Sequence, residues 1–279
     1  MAERQKRSMF SGFPQASDEE AHSLYQRAIV RPPGSTFAEG LTTVDLGGPD
    51  LARAREQHGA YCEALERCGL TLTRLPEDSR YPDSTFVEDT AILVRSRAIL
   101  TRPGAPSRAG EVAAIRESLS AFYGALESIV DPGTLDGGDV CEAGDTFLIG
   151  VSRRTNEEGA RQLAAILAEE GFSSRTIDIR DRSEILHLKS GLSYADRGTI
   201  LAIDALAPHP ALRDFQVIRV EAGEAYAANS VLVNGRLLIA AGYPRLEGIL
   251  RGAGLDVVPL EMSEFRKLDG GLSCLSLRF

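Results

Sequence analysis

The sequence predicts an α/β fold built as one domain from five repeated units, and two observations carry that prediction. Helical periodicity alternates along the chain with short β-rich runs. Superimposed on it, a short polar or Gly-rich motif leads five times into an apolar strand, a turn and often a second strand. Asp89, Asp139, Ser190, Ser230 and Cys274 mark these motifs at intervals of about 40 to 50 residues, a period typical of repeated supersecondary units. Units of this kind set around an axis would aim their polar motifs at one centre. The pattern alone leaves an ordinary doubly wound sheet open, although no G-x-G-x-x-G or G-x-x-x-x-G-K-[ST] motif gives such a sheet a nucleotide site.

The elements follow in order. Residues 1–24, rich in Ser, Glu and Gln, are expected to form a poorly ordered leader, and residues 25–279 the single domain. The stretch from Arg31 to Gly40 has the Pro and Gly content of a mobile loop that could close over a ligand. Apolar spacing predicts helices over Leu51 to Cys68, Glu111 to Leu126, Asn156 to Glu170 and, more weakly, Pro244 to Gly252. A β-rich run follows each: LTLTRLP, SIVDP, SSRTIDI and LDVVPL. The motif-led strand pairs begin at Phe86, Leu135, His187, Ala227 and Leu268.

Composition narrows the function. The 279 residues hold 40 acidic and 31 basic side chains, a formal charge of −9, and only Lys6, Lys189 and Lys267 are lysines. Such a chain lacks the basic stripe that binds nucleic acid or an anionic membrane surface. No apolar run is long enough to span a membrane, and no export signal follows the charged N-terminus. Cys62, Cys68, Cys141 and Cys274 show no metal-binding spacing, and the first two face different sides of the predicted helix. Reduced thiols and a cytoplasmic location are therefore expected.

The motifs supply candidate chemistry. PDSTFVEDT places Asp83, Glu88 and Asp89 beside Phe86. Clustered carboxylates repel unless a cation or proton lies between them, and the flanking Phe86, Val87 and AILV argue that this cluster is partly buried. It then suits a cationic group. Asp136 and Asp139 flank Gly137 and Gly138, His187 heads the third motif, and Cys274 follows a Gly pair in the fifth. Taken singly these are a tight turn, a packed histidine and a structural cysteine. Brought to one centre they are a nucleophile, a base and an orienting acid. A site lined with acceptors, lacking donors for an oxyanion, points to an electrophilic carbon within a cation, and a guanidinium fits.

In order along residues 25–279, PDSTFVEDT, TRPGAPSR, TLDGGDV, RTNEEGARQ, HLKSGLSY, EAYAANS, AGYPR and KLDGGLSCLSLRF closely resemble the dimethylarginine dimethylaminohydrolase family, especially its bacterial members. The resemblance implies the pentein fold, a five-bladed αβ propeller with pseudo-fivefold symmetry. It also implies hydrolysis of Nω-methylated arginines to citrulline and an alkylamine, with neither metal nor cofactor. By the same resemblance Cys274 is the nucleophile, His187 the general acid/base and Asp136, where bacterial relatives often carry Glu, the orienting acid. Asp83, Glu88 and Asp89 would bind the substrate cation, Phe86 its apolar stem, and Arg108 and Arg154 its α-carboxylate. Main-chain carbonyls of Leu41 and Leu268 would take its α-ammonium. The expected partner is a small molecule, with a second copy of the chain the candidate protein partner. An arginine deiminase-like enzyme, an amidinotransferase or a non-catalytic binder of cationic amino acids are the rival readings.

Overall fold

The computed structural model describes residues 25–279, so the leader expected over residues 1–24 lies outside the described residues. The described strands form five separate three-stranded sheets. Four of them repeat one chain order: a hairpin, then a connection leading to a strand parallel to the hairpin's second strand. These are Ala91–Val94, Arg97–Leu100 and Leu126–Ser128; Val140–Ala143, Thr146–Val151 and Ser173–Asp178; Leu192–Asp196, Thr199–Ile203 and Gln216–Val220; and Val231–Val233, Arg236–Ala240 and Asp256–Leu260. The remaining sheet joins the two ends of the domain. Arg27–Val30 runs parallel to Thr71–Arg74 and antiparallel to Leu277–Arg278, with Ile29 opposite Leu277. The architecture is the five-bladed αβ propeller that the resemblance implied, with one blade for each sequence repeat. A doubly wound sheet is excluded, because no blade hydrogen-bonds into a continuous sheet with the next.

Local chemistry explains the pieces. An antiparallel pair needs only a two-residue turn, and Asn234-Gly235, both at positive φ (49° and 82°), meets the demand of a tight hairpin. The Asn234 side chain then stitches the last hairpin to the first blade, donating to the carbonyls of Tyr25 and Cys68 at 2.9 Å each. Parallel pairs need longer crossovers, and helices Leu51–Arg67, Val112–Leu119, Glu157–Glu169 and Pro244–Gly252 provide them in all but one blade. Asp50 caps the first by accepting from the Arg53 amide (3.0 Å), and Asn156 caps the third by accepting from Gly159 (2.8 Å).

The helix expected over residues 111–126 is shorter than its periodicity suggested. A 3-10 turn, Pro106–Glu111, replaces its start, and the helix ends at Leu119, where the Ser120 hydroxyl takes the Arg116 carbonyl at 2.8 Å. Leu126 then pairs in parallel with Ala98, so the expected SIVDP strand forms earlier, at Leu126–Ser128. Sheet pairing overrides helical spacing here.

One feature of the repeat positions the site. A short helical turn precedes the inner strand of every blade: Val87–Thr90, Gly137–Asp139, Leu188–Gly191, Ala222–Ala228 and Ser273–Leu275. These turns pack on one another at the centre of the propeller. Closure of the ring rests on the last strand, where Leu277 is buried against a cluster that includes Ile29, Leu100 and Leu119. Leu277→Ala should lower the free energy of unfolding by about 2 to 4 kcal/mol in urea titrations, the cost of a large-to-small change at a packed site. A loss below about 0.5 kcal/mol, the range of surface substitutions, would show that ring closure does not depend on this contact.

Candidate active site

The central turns bring three of the sequence-predicted groups together. Asp136 precedes the turn of the third blade, His187 heads the turn of the fourth, and Cys274 lies within the turn that leads into Leu277–Arg278 of the first. Asp136, fully buried, meets Nε2 of His187 through Oδ2 at 3.1 Å, while its Oδ1 accepts the Gly104 amide at 2.7 Å. The Asp side chain therefore reaches the imidazole. Glycine is required beside this pair, because a Cβ on Gly138 would lie 2.9 Å from both the His187 ring and the Asp89 carboxylate. Gly137 is equally constrained, its position for a Cβ lying 2.0 Å from the Glu88 carbonyl.

A narrow cavity opens above these groups. Nine sequence-predicted residues line it: Leu41, Asp83, Phe86, Asp89, Arg108, Arg154, His187, Leu268 and Cys274, joined by Leu186, Asp269 and Gly270. Asp83 accepts the Leu41 amide at 3.1 Å, tying the loop that follows Arg31–Gly40 to the floor. Asp269, at φ 56°, holds the same loop by accepting the Thr43 amide at 2.5 Å.

Two expectations change in detail. Glu88 does not line the cavity; its buried carboxylate pairs with Lys189 at 2.6 Å, lies 3.5 Å from Arg278 and accepts the Ser273 hydroxyl at 2.8 Å. Arg108 is buried rather than extended into the cavity. Its guanidinium donates to Asp89, to both oxygens of Glu111 and to the Phe86 carbonyl at 3.0 Å. Burying a charge demands such partners, and local sequence spacing could not show that one of them would be Asp89, 19 residues away.

The electrostatics suit proton transfer. Burial, with Glu88 and Asp89 nearby, pushes the Cys274 thiol up to about 12, against a lowering contribution from the Gly271 amide and Lys189. Burial alone would discharge His187, yet Asp89, Asp139 and the hydrogen bond it donates to Asp136 raise it to about 9. Burial raises Asp139 to about 6 against the pull of His187 and its hydroxyl partners. Asp89 moves the other way: His187, Arg108 and the Gly138 amide outweigh its burial and keep it ionised. Asp89, Asp136 and His187 place ligand atoms within 4.8 Å of one another. The carboxylates already hold hydrogen-bond donors and His187 keeps its proton to about pH 9, so this cluster fits a proton better than a metal ion.

Comparison with known proteins agrees with this geometry. Residues 81–234 match the arginine deiminase family model. Over 257 residues the chain is 45% identical to N(G),N(G)-dimethylarginine dimethylaminohydrolase of Pseudomonas aeruginosa, covering 92% of this chain and all of that protein. The chain belongs to the dimethylarginine dimethylaminohydrolase family. The Streptomyces coelicolor member is 38% identical, with 91% of this chain and 96% of that protein aligned. The solved Pseudomonas dimethylarginine dimethylaminohydrolase, a Cys-to-Ser variant complexed with citrulline, superposes with a TM-score of 0.89 at 44% identity, covering 92% of this chain and 100% of the other.

Several residues of this site were not selected from sequence. Glu111 supports Arg108, and its i,i+3 spacing was the available signal. Asp139 was read as a repeat marker and as a flank of the Gly137-Gly138 turn, without a role of its own. It accepts the Leu188 amide at 2.9 Å and the hydroxyls of Ser152 and Thr155 at 2.7 Å each, fixing the chain next to His187. Asn229 accepts the Ser273 amide and donates to the Lys189 carbonyl, linking the segments that carry Cys274 and His187.

The raised His187 has a consequence for stability. Its proton is held to about pH 9 in the folded protein against an ordinary 6.5, so the contribution is complete below pH 6.5 and disappears as pH rises through 9. Urea unfolding of the unaltered protein and His187→Asn should show the larger stability gap at pH 6 and a smaller one above pH 9. A gap that widens with pH would contradict the imidazolium.

Proposed function

We propose that this protein hydrolyses Nω-monomethyl- and asymmetric Nω,Nω-dimethyl-L-arginine to L-citrulline plus methylamine or dimethylamine. The observation that carries this reading is the meeting of Cys274, His187 and Asp136 at a carboxylate-lined cavity, in a chain 45% identical to the Pseudomonas enzyme. Cys274 is the nucleophile, His187 the general acid/base and Asp136 the orienting acid. Asp89 and Asp83 face the guanidinium, and Phe86 packs against its stem. Glu88 acts from beneath through Lys189 and Ser273. Arg154, with Arg108 beside it in the cavity lining, takes the α-carboxylate, while the Leu41 and Leu268 carbonyls take the α-ammonium.

The resting state favours this order of events. At neutral pH Cys274 is a thiol and His187 an imidazolium. A guanidinium about 4 Å from the sulfur, at an effective dielectric of about 20, offers about 4 kcal/mol, or about three pH units of thiol acidity. Substrate binding thus lowers the thiol by about three pH units from about 12, so that a minor thiolate fraction forms at neutral pH and reacts, its proton passing to solvent. The thiolate attacks the guanidinium carbon as the imidazolium gives its proton to the alkylamine nitrogen, and that C–N bond breaks. A thiouronium adduct remains on Cys274. Neutral His187 then takes a proton from water, whose oxygen attacks the same carbon. The C–S bond breaks, the sulfur leaving as a thiolate that takes the proton of the added hydroxyl, so that citrulline forms and the thiol and the imidazolium are restored.

The expected partner is the small-molecule substrate. We place the protein in the cytoplasm, in keeping with four unpaired cysteines, and take a homodimer as its candidate assembly. No helix among the described residues is long and apolar enough to cross a membrane.

Arginine deimination is the second reading, favoured by the description of the matching family model. Product analysis separates the two: dimethylamine from dimethylarginine supports the proposal, whereas ammonia from unmethylated arginine as the main product would replace it. Cys274→Ala and His187→Ala should lower kcat by at least about 10³-fold, while Cys62→Ala, Cys68→Ala and Cys141→Ala keep most activity. Arg154→Ala should raise KM about tenfold or more with a smaller effect on kcat, and an unchanged KM would remove it from the clamp. Alkylation of Cys274 by iodoacetamide at pH 7 should be slow in the free enzyme and rise steeply with pH. A plateau below pH 8 would contradict the neutral resting thiol.

A further inference from the structure

The motif EAYAANS takes no part in the chemistry above, yet it forms the wall behind the loop that carries Cys274. Tyr226 lies on the turn Ala222–Ala228, and its hydroxyl donates to the carbonyl of Gly270 at 2.8 Å. That carbonyl and the amide of Gly271 belong to one trans peptide unit, so they point in opposite directions. The amide end faces Sγ of Cys274 at 3.5 Å. A donor on the oxygen therefore sets the rotation of the peptide and also polarises its N–H toward the sulfur.

The surroundings make Tyr226 a firm support and the peptide a part in need of one. The guanidinium of Arg266 stacks 5.0 Å from the centre of the Tyr226 ring and donates to the Tyr243 hydroxyl at 3.0 Å. Burial drives the Tyr226 phenol well above its ordinary range, so it remains a donor across the working pH. Both residues of the peptide are glycines, packed too closely for side chains: a Cβ would lie 2.3 Å from Phe86 at one and 2.4 Å from Asn229 at the other. Glycines restrict rotation least, so a hydrogen bond from outside the loop is needed to select one orientation.

We propose that Tyr226 is a positioning residue for the nucleophile, holding the Gly270–Gly271 peptide so that its N–H meets the Cys274 sulfur as the thiolate forms. This rests on Cys274 being the nucleophile. The sulfur is faced by Glu88 and Asp89 from the second blade, His187 and Lys189 from the fourth, and Asp83, Arg108, Arg154 and Asp269 around the cavity. Tyr226→Phe leaves all of these charges in place and keeps the ring under Arg266.

The test compares Tyr226→Phe with the unaltered protein, with Tyr243→Phe and Cys274→Ser as references. Tyr226→Phe should alkylate Cys274 with iodoacetamide about tenfold more slowly at each pH from 7 to 9, followed by mass spectrometry of the Cys274 peptide. It should lower kcat by a similar factor and leave KM within about twofold. Tyr243→Phe, which loses a hydroxyl that does not touch the loop, should behave as the unaltered protein. An alkylation rate unchanged in Tyr226→Phe overturns the proposal, whether or not kcat or thermal stability falls. Turnover retained in Cys274→Ser would overturn the nucleophile assignment itself, and the proposal with it.

Discussion

A carboxylate buried at the axis of the propeller stays ionised only where cations and N–H groups meet it, and Asp89 is the point at which this demand organises the molecule. One oxygen accepts the Gly138 amide from the third blade at 2.8 Å, and the other binds Arg108. Arg108 is in turn held by Glu111 and the Phe86 carbonyl, and His187 of the fourth blade supplies a second positive charge nearby. The same contacts that neutralise Asp89 therefore dock three blades. Packing of the centre and preparation of the acid/base group are one network.

That network sets a division of labour among acidic residues. Asp136 holds the imidazole directly, Asp139 fixes the chain beside it, and Asp89 contributes mainly charge. Glu88 lies outside the cavity and settles Lys189 and Ser273 beside Cys274. Two further carboxylates, Asp83 and Asp269, hold amides of the loop over the cavity. The excess acidity of the chain thus acquires local meaning only where partners are few and water is excluded.

Much of this was legible in the primary structure because the fold repeats. The spacing of Asp89, Asp139, Ser190, Ser230 and Cys274 is the spacing of blades, each marker falling in or immediately after the central turn of its unit. Helix caps at Asp50 and Asn156 obey local hydrogen-bonding rules and could be located from residue type. The helix expected over residues 111–126 failed for a non-local reason: Leu126 gains a strand partner in Ala98, which periodicity cannot register. Arg108 and Glu88 differ from expectation in the same way, since their partners come from segments far along the chain or from burial that only packing creates.

The amino-acid sequence by itself determined the residue types of the chemistry, the fivefold period and the glycines that allow close approach at residues 137, 138, 270 and 271. These are properties of local composition and order. Tertiary structure decided which charges meet, which are neutralised and which line the cavity. The physical reason is that the ionisation of a buried group depends on the dielectric and charges a few ångströms away. In a propeller those neighbours come from other blades, tens of residues distant in the chain.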